Sequence, residues 1–342
     1  MSTPFRYTRP TPARSATGRV AEVYEQISRD FGIERPPTFV VLSSAPEILV
    51  PAWALLRESL VAGAGSRTGK ELAALGVSLA NKCPFCVDAH TMLLHATGDH
   101  ALAERLARGE RPKDEEHARL LDWGRATRVP GTDPMPYPFP REHAPAYLGT
   151  VLAFHFINRI VSALLTEQLL PWNAQRLRAV RSVAGRAVGR TVRRRAVPGA
   201  ALSLLGDPGP APAWAADTCV GPAYAALRSA ARGSHRAAGE DTGLLGAEDR
   251  DLVREALRSW DGSHPPLALD GVPDRRERPA ARLAILAALA PYRITDDDIA
   301  AWRLPEHTDR CLVRVVAYGA FAAVDRIESA LPLPATGETA HT

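Results

Sequence analysis

Apolar residues separated by three or four positions recur along almost the whole chain, and this periodicity constrains the fold more than any other feature. In the segment 46–61, for example, Leu49, Trp53, Leu56 and Leu60 follow such a spacing, which places their side chains on one face of a helix. Strand-like alternation of apolar and polar residues is almost absent from the 342 residues. The sequence therefore predicts an all-α fold.

The predicted helices fall into two groups separated by a segment of different composition. In chain order they cover residues 20–30, 46–61, 68–80, 83–98, 101–107, 115–127, 146–169, 222–232, 248–260, 280–290, 296–302 and 307–331. We predict one helical domain over 1–173, a connection over 174–213 and a second helical domain over 214–342.

The connection is unusual in charge. It begins with eight arginines between positions 176 and 195 and continues with a Gly-, Pro- and Ala-rich stretch over 198–212. The arginines would not hold one clean face of a helix, so we interpret the run as a solvated linker. Contact with an acidic partner, a membrane surface or RNA is the alternative.

Short similarities between the two halves indicate an internal repeat. Residues 154–160 are similar to 320–327, and residues 53–57 are similar to 224–228. The second half would thus be a degenerate copy of the first. Chance similarity in a helical chain rich in Ala, Arg and Leu is the other interpretation.

Composition excludes several classes of protein. The net charge of +4 is too small to imply nucleic-acid binding, no 18-residue apolar run suggests a membrane span, and the first 30 residues lack a secretory pattern. We therefore expect a cytoplasmic protein with neither a nucleic-acid nor a membrane partner. Four cysteines, two of them in one Cys-x-x-Cys motif, exclude a fold framed by disulfides, and in a reducing cytosol such a motif points first to catalysis or metal binding.

That motif, Cys83-Pro84-Phe85-Cys86, is followed by His90. Proline is favoured at the first position of a helix, which makes Cys83 the residue before the helix and puts Cys86 in its first turn. The unpaired N–H groups at a helix start stabilise a thiolate. His90 lies one turn beyond Cys86 on the same face and can accept the proton of its thiol. Two thiols and a base are the parts of a dithiol redox centre.

Glu71 precedes the motif on the preceding predicted helix. If the two helices pack antiparallel, Glu71 lies about eleven residues before the turn and His90 about eight after it, which puts both at one level at roughly 1.5 Å per residue. A carboxylate there would hold the imidazole in one tautomer. The helix start favours Cys83 as the attacking thiol and the neighbouring base favours Cys86. We interpret Cys86 as the attacking residue and Cys83 as its exposed partner, which resolves the oxidised sulfur into a disulfide.

Glu71, Cys83, Cys86 and His90 reproduce the E-x11-C-x2-C-x3-H pattern, and the chain here resembles the AhpD-like alkylhydroperoxidases of the carboxymuconolactone decarboxylase-like superfamily. The resemblance is specific over about 36–165 and faint over 215–332. Well-studied members of the family carry an additional histidine just before the second cysteine, and in this chain that position is Phe85. The decarboxylase branch lacks the Cys-x-x-Cys motif, so the resemblance does not imply decarboxylation.

The resemblance implies an AhpD-like helical fold that assembles as a homo-oligomer, and thiol-dependent reduction of an organic hydroperoxide without a cofactor. The second cysteine would meet the peroxide, and Glu71, His90 and a water molecule would form the proton relay. The chain has no dinucleotide fingerprint, so reducing equivalents would come from a dithiol such as lipoamide or from a thiol protein.

Other interpretations of the motif stay open at this point. A zinc site would need a fourth ligand, such as His95 or His100, beside the two cysteines and His90. A glutaredoxin-like domain would need a β-strand before the motif, and a buried structural disulfide is a further possibility. A general thiol–disulfide oxidoreductase, or a non-enzymatic redox sensor or assembly switch, would use the same residues. We expect His155 to be a hydrogen-bonded core or interface histidine, the alternative being a residue that lines the active site.

Overall fold

Fourteen α-helices build the part of the chain that the computed structural model describes, which comprises residues 3–10, 12–131, 136–168, 174, 177–233, 244–266 and 271–332. In chain order they are α1 Gly18–Phe31, α2 Pro37–Val40, α3 Pro46–Leu56, α4 Arg67–Ala80, α5 Pro84–Thr97, α6 His100–Ala107, α7 Glu115–Ala126, α8 Ala144–Leu164, α9 Arg178–Arg193, α10 Val220–Arg232, α11 Ala247–Arg258, α12 Pro279–Leu289, α13 Asp296–Trp302 and α14 Asp309–Glu328. These ranges contain no β-strand, and the prediction of an all-α fold is confirmed.

The predicted helix boundaries agree with the structure to within a few residues, with marked exceptions at α8 and α9. The predicted helix 146–169 is α8, which ends earlier, at Leu164. The predicted linker contains α9, a 16-residue helix. Part of the predicted connection, near residue 175, lies outside the described residues.

A tight turn places α4 and α5 side by side. The Ser66 side chain accepts a hydrogen bond from the backbone N–H of Gly69 and caps the start of α4. Between the helices Lys82 adopts a φ of 53°, a left-handed conformation that is uncommon for a residue with a side chain. Cys83 is the N-cap of α5 and Pro84 its first residue, as the sequence predicts. The turn reverses the chain within three residues and makes the two helices antiparallel.

Helix α7 packs very closely against α4. A Cβ atom at Gly124 would lie 2.1 Å from the backbone oxygen of Ala73, a separation that real Cβ atoms do not reach. Only glycine at position 124 allows the two backbones to meet there. The contact fixes the position of α4, and with it that of Glu71.

The two halves of the described chain share one continuous apolar core. Helix α3 packs on α10 and α8 packs on α14, which are the helix pairs that the internal similarity relates; the rings of Phe156 and Phe321 lie 6.2 Å apart. The assignment of the second half as a degenerate repeat, and the boundaries at 173 and 213, stay predictions.

Helix α8 lies at the centre of this core. With the turn before it, Arg141–Leu164 is long and apolar enough to cross a membrane by length and composition, and 94% of the qualifying window is buried inside the protein. The apolar surface of α8 is thus covered by the other helices.

Helix α9 lies across α5. Gly185 approaches His95 and the backbone of Ala96, and Gly189 approaches the carbonyl oxygen of Ala96. Arg181 donates two hydrogen bonds to the carboxylate of Glu104 on α6, at 2.6 and 3.1 Å. The interpretation of this stretch as a solvated linker is wrong for 178–193, because small residues let the helix approach α5 closely and Arg181 is buried against Glu104.

Candidate active site

Cys83 and Cys86 form a disulfide at the start of α5. Their Cα atoms are 5.3 Å apart, within the usual range for bonded cysteines. Both residues are buried, Cys83 with 1% and Cys86 with 4% of its surface exposed. The expectation that Cys83 is the exposed partner is therefore wrong for this disulfide-bonded state, because the α4–α5 turn covers it.

Glu71 and His90 meet as the helix register predicts. Glu71 Oε2 lies 2.6 Å from His90 Nδ1, and both side chains are buried. Antiparallel packing of α4 and α5 brings the two positions to one level across the helix pair. The predicted contact is confirmed, while the catalytic roles of these residues stay a prediction.

Arg67 is a third member of this group, which the sequence analysis missed. It lies one turn before Glu71 on α4, and its guanidinium nitrogen Nη2 is 2.8 Å from Glu71 Oε1. The i, i+4 spacing of an arginine and a glutamate on one helix is the signal that would have found it. Arg67 also lies over the ring of Phe31, with its guanidinium carbon 5.6 Å from the ring centre.

The charge state of Glu71 follows from these contacts. Burial raises the pKa of a carboxyl group, but the positive charge of Arg67 and the hydrogen bonds with His90 and Arg67 outweigh it, so the pKa of Glu71 lies below its usual value. Glu71 is thus an acceptor-only carboxylate, and His90 donates its Nδ1–H to it. In the neutral imidazole this arrangement puts the lone pair on Nε2, the atom that can then take a proton.

His90 Nε2 belongs to the side of the ring that faces away from Glu71. The ring packs edge-on against Phe154 of α8, with ring centres 4.4 Å apart. Both rings line a cavity of about 520 Å³, and Cys86 lines the same cavity. The imidazole of His90 and the side chain of Cys86 therefore border the same apolar cavity.

Phe85, at the position where the resemblance would place a histidine, is buried and lines this cavity as well. Its ring contributes an apolar wall and no proton-carrying group.

Cys83 borders two cavities other than the one at Cys86. It lines a cavity of about 590 Å³ together with Lys82, Asp88 and Arg181, and a smaller one of about 230 Å³ together with Arg6. Neither of these cavities contains Cys86 or His90. The two sulfur atoms thus border chambers of different character, an apolar one at Cys86 and more polar ones at Cys83.

His155 is a core histidine, as expected. It is fully buried, accepts a hydrogen bond from the Asn81 amide at Nδ1 (3.2 Å) and lies 2.9 Å from the Thr127 hydroxyl at Nε2. Burial and the nearby charges of Arg159 and Arg128 lower the pKa of His155 well below its usual value, which keeps the ring neutral. His155 does not line the cavity of Cys86; it holds the end of α4 against α8.

His95 and His100 contact each other, with their Nδ1 atoms 2.9 Å apart, and His95 faces Glu104 at 3.9 Å. Neither histidine completes a ligand set with the Cys-x-x-Cys motif. Within the described ranges, no group of three His, Cys, Asp or Glu side chains is placed to hold a metal ion.

A helical core with a buried Glu–His pair beside a Cys-x-x-Cys disulfide is the arrangement that the resemblance implies, and comparison with known proteins agrees. The chain belongs to the carboxymuconolactone decarboxylase family, whose model matches residues 49–109, a span that includes Glu71, both site cysteines and His90. One relative, the alkyl hydroperoxide reductase Rv2159c of Mycobacterium tuberculosis (strain ATCC 25618 / H37Rv), is 35% identical over 343 residues, covering 97% of this chain and 96% of the relative. No solved structure matches the chain.

Proposed function

We propose that this protein reduces organic hydroperoxides with the Cys83–Cys86 pair and is re-reduced by a dithiol. The observation that carries the proposal is the shared chamber, in which Cys86 borders the same apolar cavity as His90, whose Nδ1 is held by an ionised Glu71 at 2.6 Å. The name of the 35% identical relative, an alkyl hydroperoxide reductase, supports the same reaction class.

The first step is attack on the hydroperoxide by the Cys86 thiolate. In the reduced protein, His90 Nε2 takes the proton of the Cys86 thiol, directly or through a water molecule. The thiolate attacks the distal oxygen of the hydroperoxide, an S–O bond forms as the O–O bond breaks, and the alkoxide leaves as an alcohol with the proton that His90 returns. The products are a sulfenic acid on Cys86 and one molecule of alcohol.

The second step forms the disulfide. The Cys83 thiol attacks the sulfenic sulfur of Cys86, the S–S bond forms, and the hydroxyl group leaves as water with the thiol proton. This step keeps Cys86 from oxidation to sulfinic and sulfonic acids. The ordered position of Cys83 at the N-cap of α5 supports its role as the resolving residue.

A dithiol closes the cycle. One of its thiolates attacks the disulfide, and its second thiol releases the reduced protein as the reductant becomes a disulfide. We place this attack at Cys83, because Cys83 borders chambers outside the apolar cavity and the leaving Cys86 thiolate lies next to His90. Lipoamide or a thiol protein is the proposed donor, and a cytoplasmic homo-oligomer is the proposed setting.

Steady-state turnover tests the proposal. We expect the wild type to reduce tert-butyl hydroperoxide with excess dihydrolipoamide, and we expect Cys86→Ser and Cys83→Ser to lose this turnover. Cys219→Ser is the matched control, because Cys219 is a free thiol away from the site and its loss should leave the rate unchanged.

Absence of turnover with several dithiols, in a protein that still forms the Cys83–Cys86 disulfide once, would contradict the peroxidase cycle. That result would favour a redox sensor or a thiol-exchange partner protein. Turnover that persists in Cys86→Ser would refute the assigned chemistry outright.

A further inference from the structure

The cavity at Cys86 is far larger than a small hydroperoxide needs. Its volume is about 520 Å³, within the ~300–1,000 Å³ range of sites that enclose drug-sized ligands. Five separate parts of the chain form its walls, namely the segment from the end of α1 to α2, the end of α3, and helices α5, α8 and α9. The volume of this chamber is sufficient for a large substrate.

The walls of this cavity are almost entirely apolar. The aromatic and aliphatic side chains that dominate them are Phe31, Phe39, Phe85, Met92, Phe154 and Val188. Each methylene group that a ligand buries against such a surface improves binding by roughly fourfold, the equivalent of ~0.8 kcal/mol. A long hydrocarbon chain gains much more from this chamber than a four-carbon tert-butyl group does.

Charged side chains stand only at the opening. Of the residues that line the cavity, Glu34, Arg35 and Ala187 are exposed, which marks where solvent enters. Arg35 has a φ of 53° although it precedes Pro36, a position that normally favours extended backbone. A strained backbone held at the mouth of a binding site is typical of a functional constraint.

The surroundings of this opening are positive. Helix α9, which forms one wall, carries the exposed residues Arg186 and Arg190 on either side of Ala187, and among the residues that line the cavity Glu34 is the one carboxylate. A cationic rim around an apolar chamber suits a ligand with an apolar body and an anionic end.

We propose that the substrates are hydroperoxides with a long apolar chain and a terminal carboxylate, the chemical class of fatty-acid hydroperoxides. The chain lies in the cavity with the hydroperoxide group against Cys86 and His90, and Arg35 at the mouth binds the carboxylate. This inference rests on the proposed function for its reactive step; the binding of such a ligand does not depend on it.

Rates of Cys86 oxidation in the reduced protein test the proposal. We compare the hydroperoxide of linoleic acid, its methyl ester and tert-butyl hydroperoxide in single-turnover experiments. The fatty-acid hydroperoxide should react at least ~100-fold faster than tert-butyl hydroperoxide, since several methylene groups are buried. The free acid should also react several-fold faster than the ester.

Two variants with matched controls locate the effect. Ala184→Phe fills the cavity from α9 and should slow the fatty-acid hydroperoxide more than tenfold while changing the tert-butyl rate little. Its control is Val183→Phe, since Val183 is 60% exposed and does not line the cavity. Arg35→Gln should bring the acid down to the rate of the ester, whereas Arg258→Gln, at an exposed arginine of α11 outside the cavity lining, should preserve the difference.

A binding measurement separates this inference from the proposed function. The hydroxy analogue of the fatty acid cannot oxidise a thiol. We expect it to bind the Cys86→Ser protein, and we expect the additional substitution Ala184→Phe to abolish this binding. If no hydroperoxide oxidises Cys86 but the analogue binds, the peroxidase proposal fails and the ligand class stands. If all three hydroperoxides react at equal rates, and the analogue does not bind, the ligand class is overturned while the peroxidase proposal stands.

Discussion

Replacing Glu71 by glutamine tests the proton relay at the residue that the structure makes central. The buried carboxylate contacts His90 Nδ1 at 2.6 Å and Arg67 at 2.8 Å. An amide at this position can donate to Nδ1 instead of accepting from it, which stabilises the tautomer with the proton on Nε2. That tautomer has no lone pair facing Cys86, so it cannot take the thiol proton.

The size of the effect follows from the loss of a positioned base. General acid–base catalysis contributes typically ~10²–10⁴-fold to a rate, which corresponds to about 3–5 kcal/mol in the activation barrier. We expect Glu71→Gln to slow oxidation of Cys86 by this factor in stopped-flow experiments with one equivalent of hydroperoxide. The free energy of unfolding should fall by about 1–3 kcal/mol, because the Arg67 guanidinium, only 15% exposed, keeps a weaker acceptor.

Glu58→Gln is the matched control. Glu58 is also a buried carboxylate, 2.6 Å from the Arg57 guanidinium, and it accepts hydrogen bonds from the backbone N–H groups of Gly199 and Ala201. Its replacement makes the same chemical change without touching the site. We expect a comparable loss of stability with a rate of Cys86 oxidation within about threefold of the wild type.

A double-mutant cycle supplies the refuting result. If Glu71 acts through His90, adding Glu71→Gln to the His90→Ala protein should slow Cys86 oxidation by less than about a further threefold. Residues that act as one unit do not have additive effects on the activation barrier. A double variant slowed by the product of the two single-variant factors would refute the relay. So would an unchanged rate in Glu71→Gln.

Three further predictions concern the scaffold. Burial lowers the pKa of Lys70 from 10.5 to about 7; the folded lysine loses its proton above pH 7 while the unfolded one keeps it up to about 10.5. The free energy of unfolding should therefore rise with pH across this window by up to ~1.4 kcal/mol per unit, and denaturant titrations of Lys70→Met should lack this rise. Gly124→Ala should lower the free energy of unfolding by at least ~2 kcal/mol in the same assay, because its Cβ would lie 2.1 Å from the Ala73 carbonyl oxygen; an unchanged midpoint would contradict the close helix contact. Arg181→Gln should release α9 from Glu104 and make its local opening about 1–3 kcal/mol easier, measured as faster hydrogen exchange of the α9 amides; unchanged exchange would show that the ion pair does not hold the helix.

The arrangement of Glu71 and His90 could be predicted from the sequence because it depends on counting residues along two helices. The turn between the helices is only three residues long, and with antiparallel packing across it the residue count brings the two positions to one level. The helical periodicity likewise predicted the all-α class and most helix boundaries, including α13 to the residue.

Features that depend on long-range packing could not be predicted in the same way. The cavity at Cys86 needs the segment after Phe31 and the wall of α9 to meet, and neither carries a local signal for the other. The arginines of α9 suggested a solvated linker, yet Gly185 and Gly189, four residues apart, were a readable sign of a helix that packs closely. Arg67 lies before the E-x11-C-x2-C-x3-H pattern, which begins at Glu71, so the pattern alone does not mark it.

Trapping of the first oxidised thiol tests the central claim most directly. Reduced Cys83→Ser protein, which cannot form the Cys83–Cys86 disulfide, is treated with one equivalent of hydroperoxide in the presence of dimedone, and the modified peptide is identified by mass spectrometry. The account predicts a single dimedone adduct, on Cys86, in the Cys83→Ser protein. In a parallel experiment with the Cys86→Ser protein it predicts no adduct on Cys83. Rapid formation of an adduct on Cys83, or no adduct on Cys86 despite folded protein and consumed hydroperoxide, would contradict it.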